Sequence, residues 1–194
     1  MADRTAVANP APLGLVGFGL TTVLLSLVNA GVFGADLEML VIPMAIAFGG
    51  TIQLMAGAME FRTGNTFGMT AFTSYGAFWW WFALLLLFQN NGWIPEVSAQ
   101  ALGVALIMWG VFTTYMWVGT FKLNWGLFSV FLTLALTFFL LGFGDFLGVG
   151  VVVTLGGWVG ILTGLLAMYV SFAEVTNWTW GRDVLPLGGT PYEG

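Results

Sequence analysis

The side chains of this chain that can do chemistry inside an apolar environment are almost all neutral. Residues 65–81 read NTFGMTAFTSYGAFWWW, which carries Thr66, Thr70, Thr73, Ser74 and Tyr75 with no charge. Upstream, Phe18, Thr22, Ser26 and Asn29 recur at spacings of four, four and three, which places them on one face of a helix. Gln53 is the one strong hydrogen-bonding side chain at mid-depth of the apolar run 39–59, and Thr113, Thr114 and Tyr115 form a further group. These groups give and accept hydrogen bonds without bringing charge. Thr and Ser also bond their own helix backbone or hold neighbouring helices together, which is the ordinary use of a single hydroxyl. A set of such stripes, each opposed by an apolar face, predicts a polar lining inside a helix bundle.

What is missing narrows the chemistry. The chain has no His and no Cys, so thiolate metal sites, disulfides and thiol chemistry are excluded. A hydrolase in the membrane needs a nucleophile with a base, or a set of metal ligands, and no such cluster stands in the apolar runs. The chain is therefore not expected to be an enzyme, and no cofactor, metal or nucleic-acid partner is expected. Buried charges of the kind used by proton pumps and voltage sensors are also absent from the run interiors. Glu60 and Glu174 stand at run edges and read as interface charges, so any proton dependence would come from the solute itself or from these edge groups. A neutral lining lacks fixed positive charge for a multivalent anion and the carboxylate ring of a cation pore. It suits a small solute needing two to four hydrogen bonds: a short monocarboxylate, ammonia, urea or glycerol. Helix N-termini can lend partial positive charge to a carboxylate without Lys or Arg.

These side chains need a scaffold, and the charges outline it. The chain has 194 residues, 59% hydrophobic and 7% charged. The charged residues leave six uncharged intervals, 5–35, 39–59, 63–95, 97–121, 123–144 and 146–173. Each is long enough for a helix of about 20 residues to cross the hydrocarbon core. The alternating pattern of a transmembrane β-barrel is absent. The fold class is thus an all-α integral membrane protein, a six-transmembrane-helix bundle. Its spans are placed near 10–29, 39–59, 66–88, 98–119, 125–143 and 150–172. The four basic residues, Arg4, Arg62, Lys122 and Arg182, all fall on one side of such a bundle. The positive-inside rule makes that side, with both termini, cytoplasmic. Residues 1–9 then form a cytoplasmic N-terminal tail, 10–173 the transmembrane domain and 174–194 a cytoplasmic C-terminal tail. A cleaved signal peptide is the alternative for the N-terminus, opposed by Pro10 and Pro12 where the apolar run begins.

Smaller features bear on packing. Pro43 reads as a first-turn proline of the second span. Gly156, Gly160 and Gly164, and Ala45, Gly49 and Gly57, form small-residue stripes that fit close packing either within the chain or between subunits. Trp79, Trp80 and Trp81 lie far from both ends of the third span, which points to burial between helices or subunits as much as to interfacial anchoring. No internal repeat is visible, although three helices per half would give inverted topology.

Three strings resemble a known family. NPAPLGLVGFG at 9–19, GNTFGMTAFTSYGAFW at 64–79 and GRDVLPLG at 181–188 are similar to the signature segments of the acetate uptake transporter family. That family holds bacterial acetate/succinate permeases and the fungal ammonia-export/acetate proteins, and the six-helix layout agrees. The resemblance implies transport of acetate and similar short monocarboxylates, with succinate as a further candidate. It implies a homo-hexamer in the lipid bilayer with a separate pathway through each subunit. The short tails are more similar to prokaryotic members, which places the chain in a prokaryotic plasma membrane. It further implies a hydrophobic constriction of Phe18, Tyr75 and Leu134. Thr22, Ser26, Asn29, Gln53, Thr70, Thr73 and Ser74 are then candidates for lining the path and binding substrate. Family members are described both as proton-coupled carriers and as channel-like pathways, and the sequence leaves that choice open. An ammonia or ammonium pathway and a non-conducting membrane scaffold or sensor stand as the alternatives.

Overall fold

The computed structural model describes residues 7–193, apart from the side chains of residues 35 and 38. Among the described residues the regular structure is entirely helical, and six helices are long and apolar enough to cross a membrane. Helix α1 spans Ala11–Asn29. The second span is composite: α2 (Ala35–Met44), a π-helical segment (Ala45–Ile52) and α3 (Gln53–Thr63) follow without a break. Then come α4 (Thr66–Asn90), α5 (Ala99–Gly119) with a 3-10 turn (Thr120–Lys122), α6 (Trp125–Leu147) and α7 (Gly150–Trp180).

Local sequence explains the helix ends. Asn65, Ser98 and Asn124 each accept a hydrogen bond from the backbone N–H three residues on, at 3.0, 3.2 and 2.8 Å, which satisfies a free donor of the first turn. Gly64 and Gly148 stop α3 and α6 at φ +75° and +68°, a left-handed backbone that costs residues other than glycine.

The second and last spans depart from the sequence expectation. Pro43 does not sit in a first turn; it lies inside α2, directly before the π segment. A proline within a helix withholds an N–H and crowds the carbonyl four residues back, and here the helix changes to π-type bonding two residues further on. The last helix also continues past 172 to Trp180, so Glu174 is helical. The Asn177 side chain accepts from the N–H groups of Val184 and Leu185 at 2.8 Å each, folding the following segment back on the helix. That segment lies across the start of α6. The Gly126 N–H donates to the Leu187 carbonyl at 3.0 Å, and the Tyr169 hydroxyl donates to the Pro186 carbonyl at 2.8 Å.

The small-residue stripes pack within the chain. A methyl group on Gly164 would stand 2.7 Å from the Gly19 carbonyl of α1, and one on Gly160 would collide with the Ser26 hydroxyl. Gly57 faces Thr73 of α4 in the same way. Three tryptophans in a row divide by helical geometry: Trp79 is buried, Trp80 donates to the Thr51 hydroxyl at 3.3 Å, and Trp81 is exposed. The six spans bring both ends to one face, where the Asn9 amide donates to Glu174 at 3.0 Å. We call this the proximal face and the other the distal face.

Candidate functional site

Two cavities enter the bundle from opposite faces and meet at the same side chains. The proximal cavity, about 160 Å³, is lined by Asn9, Gln53, Glu60, Asn65 and Glu174 among others. The distal cavity, about 270 Å³, is lined by Thr22, Ser26, Asn29, Trp79, Thr137 and Asp145 among others. Each far exceeds the ~10–15 Å³ that one water needs on the same measure. Phe18 and Leu134 line both cavities, and Tyr75 closes the proximal one. All three are buried.

The closure is aromatic and braced. The Phe18 and Tyr75 rings lie 5.9 Å apart at 48°. Phe112 and Trp109 of α5 and Phe131 of α6 surround Tyr75 at centroid distances of 5.4, 6.0 and 6.1 Å. The Tyr75 oxygen lies 2.9 Å from the Thr113 hydroxyl. Thr113 has one hydroxyl proton, and it goes to the Trp109 carbonyl at 2.7 Å. Tyr75 is therefore the donor to Thr113. Of the Thr113, Thr114 and Tyr115 group, Thr113 is the buried member that reaches the ring, while Tyr115 is exposed.

The polar atoms around the cavities have an unusual property. Thr22 Oγ1, Gln53 Oε1, Glu60 Oε1 and Trp79 Nε1 are buried without a hydrogen-bond partner in the protein, and all four residues line a cavity. A buried polar group without a partner is costly, so these four atoms are hydrogen-bonding positions left open beside the cavities.

The structure brings together Phe18, Gln53, Tyr75 and Leu134 at the proximal cavity, and Phe18, Thr22, Ser26, Asn29 and Leu134 at the distal one. It does not bring Thr70, Thr73 and Ser74 there. Thr73 is exposed and packs at the α3–α4 crossing, and Ser74 borders an open groove with Met108, Trp109 and Phe112. Instead α4 turns Phe72, Tyr75, Phe78, Trp79 and Phe82 inward. Threonine can spend its hydroxyl on its own helix carbonyls, as Thr113, Thr114 and Thr133 do, so polarity alone does not decide which face of a membrane helix points inward.

The carboxylates depart from the sequence expectation. Glu60 is no interface charge: it is 1% exposed and lines the proximal cavity with Glu174. The Thr63 hydroxyl lies 2.9 Å from both Glu60 Oε2 and the Glu60 backbone carbonyl, which share its one proton. Room for the carboxyl exists because residue 68 is glycine; a methyl group there would come within 2.8 Å of Glu60 Oε1. The available signal was the order Glu60–Gly64–Asn65–Gly68, a helix stop and a capped helix start around one carboxylate. Asp145 holds the corresponding place at the distal cavity.

Residues 1–181 match the model of the GPR1/FUN34/yaaH family. The chain belongs to this family. The succinate-acetate/proton symporter SatP of Escherichia coli K12 is 46% identical over 185 residues, which cover 95% of this chain and 97% of that protein. Acetate permease A of Emericella nidulans is 37% identical over 201 residues, covering 95% of this chain and 67% of the relative. Ammonia transport outward protein 2 of Saccharomyces cerevisiae is 38% identical over 179 residues, covering 88% and 62%. Among solved structures, that of the bacterial acetate channel SatP aligns with a TM-score of 0.92 at 46% identity, covering 94% of this chain and all of the other.

Proposed function

We propose that this protein transports acetate and similar short monocarboxylates across a membrane, along a narrow path through each subunit. The observation that carries the reading is that Phe18 and Leu134 line both cavities, so the cavities are separated by one layer of side chains. A narrow apolar ring resists wetting and blocks free leakage of ions. A compact solute with one carboxyl and one methyl group can pass as the side chains move. Thr22, Ser26 and Asn29 on one side of the ring and Gln53 on the other supply hydrogen bonds in place of water. Transport is linked to protons, consistent with the activity named for the Escherichia coli relative, and no catalytic role is assigned.

The same reading sets the protein in the plasma membrane of a prokaryote with both termini cytoplasmic. Arg62, Lys122 and Arg182 all stand at the proximal face, which supports that orientation. Residues 10–173 are the transmembrane domain, between cytoplasmic tails at 1–9 and 174–194. The working unit is a homo-hexamer in the bilayer; exposed Met108 and Tyr115 on the outward face of α5 support contact with other subunits.

Uptake of labelled acetate by purified protein in liposomes tests the proposal, with and without an imposed pH gradient. Saturable uptake, increased by a gradient acid on the acetate side, is the expected result. Absence of uptake above protein-free liposomes would overturn it. The family's ammonia-named yeast members make an ammonium analogue the natural comparison: its uptake in place of acetate would favour the ammonium pathway.

A further inference from the structure

Both cavities have a carboxylate in their lining, Asp145 distal and Glu60 with Glu174 proximal, but their unpartnered buried atoms differ in hydrogen-bonding character. On the distal side, the unpartnered buried atoms are the Thr22 hydroxyl and the Trp79 indole nitrogen. An indole N–H can only donate. On the proximal side they are Gln53 Oε1 and Glu60 Oε1. The amide of Gln53 can present either end, but an ionised Glu60 can only accept. The apolar ring lies between these two environments. A carboxylate is stabilised by donors, whereas an undissociated carboxylic acid brings a donor of its own and needs an acceptor.

We propose that Glu60 accepts the acid proton of the substrate in the proximal cavity. The proposal rests on proton-linked transport as read above. The substrate crosses the ring as the neutral acid, which the apolar side chains pass more readily than an anion. Its O–H then donates to Glu60 Oε1. The proton transfers: an O–H bond forms on Glu60, the O–H bond of the acid breaks, and that electron pair stays on the substrate oxygen. The substrate is now an anion and Glu60 is neutral. Glu174 lines the same cavity, and its carboxylate disfavours a lasting anion beside it, so the substrate leaves for water rather than staying bound. Glu60 returns its proton to water there, and the cycle closes with one carboxylate anion and one proton moved.

The surroundings fit this role. From α7, Glu174 faces the cavity, held by Asn9 at 3.0 Å. From α4, Asn65 and Gly68 border it and are uncharged, and Tyr75 has its hydroxyl engaged with Thr113. The α1 and α6 linings, among them Leu15, Leu127 and Val130, are apolar. On its own helix, Arg62 is exposed and two residues on, about 200° around the axis. Glu174 is thus the charged side chain that shares the cavity lining with Glu60.

The test uses full-length wild type, Glu60→Gln and Glu60→Asp in liposomes. Two quantities are compared: acetate accumulation driven by a pH gradient, and exchange of labelled for unlabelled acetate at equal pH. Their ratio is expected to fall about tenfold or more in Glu60→Gln, which keeps the shape but cannot accept the proton, and to recover in Glu60→Asp. An unchanged ratio in Glu60→Gln would overturn the assignment. A wild type without gradient-driven accumulation would instead sink the proton-linked reading beneath it, which separates the two failures. If Glu60→Gln does not assemble, Thr63→Val decides. It removes the hydroxyl that stands 2.9 Å from Glu60 Oε2 and should move the pH profile of flux, and an unmoved profile would overturn the proposal.

Discussion

Tyr75→Phe separates the ring of the constriction from the bond that braces it. The phenylalanine keeps the aromatic surface against Phe18, Phe112, Trp109 and Phe131, and loses the 2.9 Å bond to Thr113. Thr113 is not orphaned, because its own proton already goes to the Trp109 carbonyl. The change therefore removes one net hydrogen bond, about 0.5–1.5 kcal/mol, without leaving a buried donor unmet. If the ring must swing from Thr113 each time a solute passes, that energy is part of the barrier. With tenfold per about 1.4 kcal/mol, flux should rise roughly two- to twelvefold. Selectivity by size should change little, because the ring itself remains. The assay is initial uptake of acetate and of a longer monocarboxylate by purified variant in liposomes, with oligomer assembly checked by size-exclusion chromatography. A well-assembled Tyr75→Phe with unchanged or slower acetate flux would refute the idea that Thr113 restrains a moving ring.

Phe18→Ala and Leu134→Ala remove side chains shared by both cavities and should raise flux and admit larger acids; unchanged selectivity in both, measured with the same pair of substrates, would place the constriction elsewhere. Gln53→Ala removes a hydrogen bond to a charged group, about 1.5–3 kcal/mol, so acetate affinity should weaken roughly tenfold or more by binding titration. Gly164→Val puts side-chain atoms against Val23 and the Gly19 carbonyl and should cost about 1–3 kcal/mol, read as a lower melting temperature in detergent. Asn65→Ala deletes the cap at the start of α4 and should cost about 1 kcal/mol, read in the same melting experiment.

The sequence by itself determined the class and the spans. Uncharged intervals of bilayer length can exist only if each backbone satisfies its own hydrogen bonds, which makes them helices. Asn65, Ser98 and Asn124 then fixed where three of those helices begin, through bonds local to the first turn. The face holding Phe18, Thr22, Ser26 and Asn29 was legible for the same reason: a helix of known period places these residues without reference to any neighbour. What needed the tertiary structure was the direction each face takes. On α4 the hydroxyl stripe of Thr70 and Thr73 turned away from the cavities and the aromatic face turned inward, because hydroxyls can be satisfied locally while large rings compete for the close-packed centre. Pro43 shows the same limit within one span, since the backbone's response to a missing N–H depends on how far upstream the helix began. The role of Glu60 was hidden for a further reason. At a run edge a carboxylate reads as solvated, and only the folding of α4 and α7 over it, with glycine at 68 leaving space, removes it from water while leaving one oxygen without a partner.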